Sequence, residues 1–206
     1  MRRFLLLFSG AVVSFIFSSC LQTGSALKTD SSKTISEAPC KVPGEQATKK
    51  RGEEKLLWAD SYIWAKAPQL NVEKWRSEKP DTKGKYVLIE HWNTWCPPCR
   101  RSIKLLNHFY SKYKKDLVVI GVTDDTEDAI AAMEKEFGIK IDYYCAIDTS
   151  EQQKKALGVF GVPHVIILEP GGYVVWEGFP YQKGHELTDE IIDKIIAVGR
   201  KQKKKK

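Results

Sequence analysis

Three features of this 206-residue chain predict an α/β fold with a central mixed β-sheet flanked by helices. Continuous apolar runs alternate with segments of helical periodicity between residues 86 and 168. That is the pattern of buried parallel strands joined by crossover helices. The last two apolar runs, Val165–Leu168 and Tyr173–Trp176, flank the turn sequence from Glu169 to Gly172, which makes that pair an antiparallel hairpin. Cys96-Pro97-Pro98-Cys99 stands where the first strong strand gives way to the first helical pattern. A C-x-x-C at a strand-to-helix junction is a redox signal.

Taken in order, residues 1–20 read as a signal peptide. Arg2 and Arg3 precede an apolar run from Phe4 to Phe17, and Ser18-Ser19-Cys20 follows. The run is too short for a comfortable membrane span and fits a secretory signal. Phe17 to Cys20 resembles a bacterial lipobox, so Cys20 is a lipidation candidate. Cleavage after Ala26 and an uncleaved anchor are the alternatives. Residues 21–55 are polar, with few large apolar side chains, and read as a flexible tether carrying Cys40.

The folded domain is expected over residues 56–199. Apolar mass at Leu56–Trp58 and Tyr62–Trp64 should pack at its edge, and the weak alternation from Ala67 to Trp75 suggests an edge strand or hairpin. Tyr86–Trp92 is a strand, and residues 98–114 form a helix with Ile103, Leu106, Phe109 and Tyr110 at helical spacing. Leu117–Thr123 is a buried parallel strand. Asp124-Asp125-Thr126 should cap a helix with Ile130, Met133 and Phe137 on its inner face, ended by Gly138. Ile141–Ile147 is a short strand carrying Cys145, and Thr149 to Gln152 offers a capping box for a short helix. The β-hairpin follows, and a final helix over Leu187–Val198 turns Ile191, Ile192, Ile195 and Ile196 inward.

The formal charge is +7. Arg2 and Arg3 supply two charges, and Arg200, Lys201 and Lys203 to Lys206 supply six, which leaves −1 for the rest. The domain is therefore nearly neutral, and a nucleic-acid partner is not expected. Residues 200–206 read as a solvated basic tail.

Two readings compete with redox use of Cys96 and Cys99: a zinc knuckle and an inert disulfide. Zinc normally takes four ligands, and no second C-x-x-C or H-x-H pair exists. Haem attachment would need a histidine after Cys99, where Arg100 stands. A helix start favours a thiolate through its free N–H groups and dipole. Pro97 and Pro98 suit a first helical turn but remove two donors from it.

The sequence from Val87 to Arg100 (VLIEHWNTWCPPCR), with Gly161-Val162-Pro163 and the Glu169–Gly172 turn, resembles the thioredoxin fold. More narrowly, it is similar to the exported TlpA/ResA-type thiol–disulfide oxidoreductases, which the helix-strand insertion before Asp148 also matches. The resemblance implies that Cys96 is the nucleophile, the more exposed sulfur, and that a buried Cys99 resolves the mixed disulfide. It implies a cis-proline at Pro163, with the Val162 backbone, Trp95 and Pro97 meeting the substrate. It implies a buried acid at Glu90, which would exchange protons with Cys99. The alternative for Glu90 is a solvent-facing or lysine-paired carboxylate. Arg100 and Arg101 would favour the Cys96 thiolate, while Trp92 and His164 would shape the site or serve the core. Cys145 reads as an inert thiol, and pairing with Cys40 is an alternative.

The expected function is therefore envelope thiol–disulfide exchange, in the reducing direction, on protein disulfides or dithiols. Its only redox group would be Cys96–Cys99, with no metal or added cofactor. A membrane-bound electron donor and membrane association through the N-terminus complete the expectation. A peroxiredoxin-like thiol peroxidase is one alternative, although Thr94-Trp95-Cys96 lacks the T-x-x-C spacing. A non-enzymatic metal- or partner-binding lipoprotein is the other.

Overall fold

The computed structural model describes residues 57–203. The expected signal peptide, the whole tether, Leu56, Cys20 and Cys40 lie outside the described residues. The elements are β1 (Lys74–Trp75), β2 (Tyr86–Trp92), α1 (Pro97–Tyr113), β3 (Leu117–Thr123) and α2 (Glu127–Phe137). They continue with β4 (Tyr144–Ile147), α3 (Gln152–Ala156), β5 (His164–Leu168), β6 (Val174–Gly178) and α4 (Asp189–Lys203). The sheet order is β1-β4-β3-β2-β5-β6. β2, β3 and β4 run parallel, and β1, β5 and β6 pair antiparallel with their neighbours.

β2 lies at the centre and is buried at all seven positions. Side chains alternate across a strand, so Tyr86, Leu88 and Trp92 enter the core under α1, while Val87 and Ile89 enter a second core on the other face. α1 presents Cys99, Ile103, Leu106, Phe109 and Tyr113 to the first core. Their spacing of three to four residues makes one helical stripe. Ile130 and Met133 of α2 and Ile192 and Ile196 of α4 join the same cluster. Burying each such side chain contributes about 1.5–3 kcal/mol.

The opposite face is covered differently. Leu157, just after α3, packs there with the extended segment from Tyr62 to Trp75. That segment begins along β6, where Ile63 bridges Val174 and the buried Glu177 carboxylate accepts from Ser61 Oγ (2.5 Å) and Tyr62 N–H (2.8 Å). It crosses to the far edge, where β1 pairs with β4. The segment thus lies along β6 at one edge of the sheet and supplies β1 as the outermost strand at the other.

Several local expectations are corrected. Phe137 lies outside the core, 46 % exposed, with the Arg100 guanidinium 4.1 Å from its ring centroid. Trp64 stays 72 % exposed, whereas Trp58 packs against Gly161, and Tyr62 and Ile63 pack on the core. The Ala67–Trp75 alternation yields a strand only at its last two residues. β4 begins at Tyr144 rather than Ile141. α3 has no capping box: Glu151 takes the N-cap position with φ 57° and no side-chain cap bond. Thr149 is held by Glu73 instead, and Asp148 Oδ2 accepts from Gln153 N–H at 2.8 Å. α4 continues through Lys203, and Arg200 pairs with Asp116 at 2.7 Å. Basic residues in a last helical turn complement the helix dipole.

Gly121 of β3 sits opposite Glu90 in the β2–β3 register. A Cβ there would lie 2.9 Å from both Trp92 Nε1 and Tyr143 Cε2. Two buried rings therefore fill the space a side chain would need. Gly121→Ala is expected to destabilise the fold by about 1–3 kcal/mol through overpacking, read as a lower midpoint in urea unfolding.

Candidate active site

β2 ends at Trp92, and the four residues after it turn the chain into α1. The turn is clamped from β3: Asp125 Oδ2 accepts from Thr94 N–H (2.6 Å), Asn93 Nδ2 (3.3 Å) and Thr123 Oγ1 (3.0 Å). Asp124 Oδ1 accepts from Asn93 Nδ2 at 2.7 Å and from Lys154 Nζ. Burial raises the Asp124 pKa, but the bonds from Lys154 and Asn93 outweigh it and hold the carboxyl below the usual range. This polar knot positions Cys96 as the N-cap of α1, with prolines in the first two helical positions.

Cys96 and Cys99 form a disulfide. Cys96 Sγ accepts from the Cys99 N–H at 3.3 Å and lies 3.7 Å from Val162 O. Cys96 is only 3 % exposed, and Cys99 is fully buried. The expected contrast between an open and a hidden sulfur is therefore small in this oxidised form, because Cys96 itself packs into the core cluster with Val162 against it. Around it Trp95 is 70 % exposed and Phe160 78 %. Pro97 is exposed and Val162 half-buried. The Val162–Pro163 peptide is cis. The β2–β5 register pairs His91 with His164, so Pro163 lies immediately beyond the paired ends, beside the loop that leads to Cys96.

Glu90 is completely buried, on the α1 side of the sheet. Its Oε1 meets Ser102 Oγ, and Ser102 Oγ donates to Cys99 O at 2.7 Å. Ser102 has a single hydroxyl hydrogen and a carbonyl can only accept. Both contacts are therefore hydrogen bonds only when Glu90 supplies its own proton to Ser102. Burial agrees with this: it pushes the Glu90 pKa up to about 8, against the opposing Ser102 bond. Glu90 Oε2, Trp92 Nε1 and Tyr143 Oη are buried without a hydrogen-bond partner among the described residues. A negative Glu90 would have little to stabilise it there.

The arginines next to Cys99 are both engaged. Arg100 Nη1 donates to Thr94 O at 2.8 Å, and the Arg101 guanidinium lies 4.1 Å from the Tyr181 ring centroid. His164 stacks on His91 at 6.4 Å between centroids. Both are buried, and strand alternation puts them on the face away from Glu90 and α1. Burial first, then His164 and Lys154, lower the His91 pKa to about 3. Cys145 is a free, buried thiol whose pKa burial pushes up to about 12. Sequence reasoning missed Ser102, Tyr143 and the Asp124–Lys154 knot. For Ser102 a signal existed: it is a polar residue within the otherwise apolar stripe of α1.

A thioredoxin-like sheet with a C-x-x-C disulfide at the start of the helix after its central strand defines a thiol–disulfide oxidoreductase. The comparisons agree. The family described as AhpC/TSA matches residues 63–177, and the chain belongs to that family. It is 31 % identical over 127 residues to the thiol-disulfide oxidoreductase ResA of Bacillus thuringiensis subsp. konkukian, covering 61 % of this chain and 72 % of that one. ResA of Bacillus subtilis is 30 % identical over 100 residues, 48 % of this chain and 56 % of that one. Among solved structures, the thioredoxin domain of a Bacteroides vulgatus thiol-disulfide oxidoreductase superposes with a TM-score of 0.55 at 19 % identity, covering 66 % of this chain and 99 % of that one. At that identity the likeness bears on the fold alone.

Glu90 and His91 impose opposite pH dependences on stability. Between pH 4.5 and about 8 the folded chain keeps a Glu90 proton that the unfolded chain has lost, so stability falls as pH rises through that window. Between about pH 3 and 6.5 the unfolded chain binds a His91 proton that the folded chain does not, so stability rises with pH there. The slopes oppose between 4.5 and 6.5. Glu90 acts without that opposition from 6.5 to about 8. Glu90→Gln should flatten the fall in urea-unfolding free energy across that upper window, a fall of on the order of 2 kcal/mol. An unchanged slope would rule out the buried acid as its source.

Proposed function

We propose that this protein reduces disulfides of other proteins by dithiol exchange at Cys96 and Cys99. The observation that carries the proposal is the Cys96–Cys99 disulfide at the start of α1, with Cys96 Sγ 3.7 Å from the carbonyl of Val162. An extended substrate segment beside Val162 and Pro163 would present its sulfur to Cys96, between Trp95 and Pro97. Cys96 attacks as a thiolate, one substrate sulfur leaves as a thiolate, and a mixed disulfide forms. Cys99 gives up its proton, attacks Cys96 and releases the second substrate sulfur. Two electrons have then passed to the substrate, and the protein is left in the oxidised form described above.

Glu90 is the proton acceptor for Cys99. A carboxyl with a pKa of about 8 can both take and give a proton near neutrality. Ser102 links it to the Cys99 carbonyl. The site acts through its own disulfide, without an added cofactor or metal.

The chain is exported to a bacterial cell envelope through residues 1–20 and faces the periplasmic side. It is held to the membrane at its N-terminus, with Cys20 as the lipidated residue. A membrane-bound donor returns the disulfide to the dithiol. The support is the basic and apolar pattern before Cys20 and the polar stretch after it.

The test is mixed-disulfide trapping. Cys99→Ser should accumulate a covalent adduct with a protein disulfide that dithiothreitol releases, and Cys96→Ser should give none. Equal yields from the two variants would refute the assignment. Glu90→Gln should slow the resolving step roughly a hundredfold and remove the inflection near pH 8 from its rate profile. A wild-type profile in this variant would remove Glu90 from the mechanism.

A further inference from the structure

The end of the domain remote from the disulfide carries a second surface. β2 starts there at Tyr86 and runs seven residues, about 20 Å, to the end that leads to Cys96. At the Tyr86 end, the β5–β6 turn, the segment around Trp64 and the last turns of α4 enclose a groove of about 360 Å³. The side chains of Trp64, Tyr173, Val175, Ile195 and Val198 line it, together with the acidic Glu169 at its side. Trp64 is 72 % exposed, Val198 57 % and Tyr173 48 %. Three large apolar side chains thus stand in solvent together, none with a role in the thiol site.

The surroundings are basic on balance, the lysines and Arg200 outnumbering Glu169, Asp116 and Asp193. α1 runs back from the cysteines and ends at this end of the sheet, where Lys112, Lys114, Lys115 and Arg200 share a cleft with Asp116 and Asp193 on the other flank of α4, Arg200 being paired with Asp116. Lys66 stands beside the groove, its backbone forming an isolated antiparallel bridge with Tyr173. The chain then continues beyond Arg200 with Lys201 and Lys203 to Lys206.

We infer that this end of the domain docks on an anionic lipid bilayer. Trp and Tyr side chains settle at headgroup depth, and each nearby cation adds attraction to an anionic surface. Charge argues against two other occupants. A second copy, seated by a two-fold contact, would bring the same cations face to face. Residues 21–56 carry seven Lys and Arg against five Asp and Glu, so this segment is also of the wrong sign. Docking by this end leaves Cys96 and Cys99 at the opposite pole, facing proteins in solution. The inference is independent of the thiol chemistry.

The experiment is vesicle sedimentation with the full chain, using phosphatidylcholine alone and phosphatidylcholine with ~30 % phosphatidylglycerol. The apolar run of residues 4–17 would bind both vesicles alike, so the readout is the ratio of anionic to neutral partitioning. The ratio should exceed one and collapse in high salt. It should fall about tenfold in Trp64→Ser/Tyr173→Ser and in a variant with Lys203 to Lys206 changed to Gln. Disulfide reduction in solution should be unchanged in both, which also reports an intact fold. A wild-type ratio of one, or a ratio unmoved by the aromatic variant, overturns the inference. So does an aromatic variant that instead converts a dimer to monomer, or that opens residues 21–56 to protease.

Discussion

The register of β2 against its neighbours governs the rest of this structure. β2 is flanked by β3 and β5 and covered on both faces, so every one of its side chains is committed to one core or the other. A shift of one residue would exchange the two sets. Leu88 and Trp92 would leave α1, and the Glu90 carboxyl would turn toward the face that now holds His91. The same register pairs His91 with His164, which brings Val162 and Pro163 to the loop that starts α1. Cysteine pair, cis-proline and buried acid are three consequences of one strand alignment.

The two faces are built by different means. Three helices cover the Glu90 face and keep it dry, and that dryness raises the pKa of the acid. The other face is closed by an extended strap from Ser61 to Trp75 and by the short α3. Polar contacts gather there, in the Glu177 carboxylate and in the Asn93–Asp124–Lys154 knot. The protein thus separates a proton-holding interior under α1 from a polar buttress that aims the loop into it.

Long elements were legible in the sequence because periodicity and burial agree in them. β2 and β3 have the predicted bounds, and α1 agrees to within a residue at each end. Short elements were not. The Thr149–Gln152 capping box failed because Glu73, distant in sequence, takes Thr149 and Ser150. Phe137 kept helical spacing yet left the core, because Arg100 from α1 offers its ring a cation instead.

By itself the sequence determined the element order, the alternation that buries β2 on both sides, and the coincidence of a C-x-x-C with a helix start. Those properties are local: they depend on residue type and spacing along one segment. Only the tertiary structure decided that Ser102 would meet Glu90, that Cys96 would be nearly as buried as Cys99, and that Trp64, Tyr173 and Val198 would form one groove. Each of these joins segments far apart in the chain. Burial, and with it the proton affinity of Glu90, is a property of what surrounds a residue in space, and no window of sequence contains that.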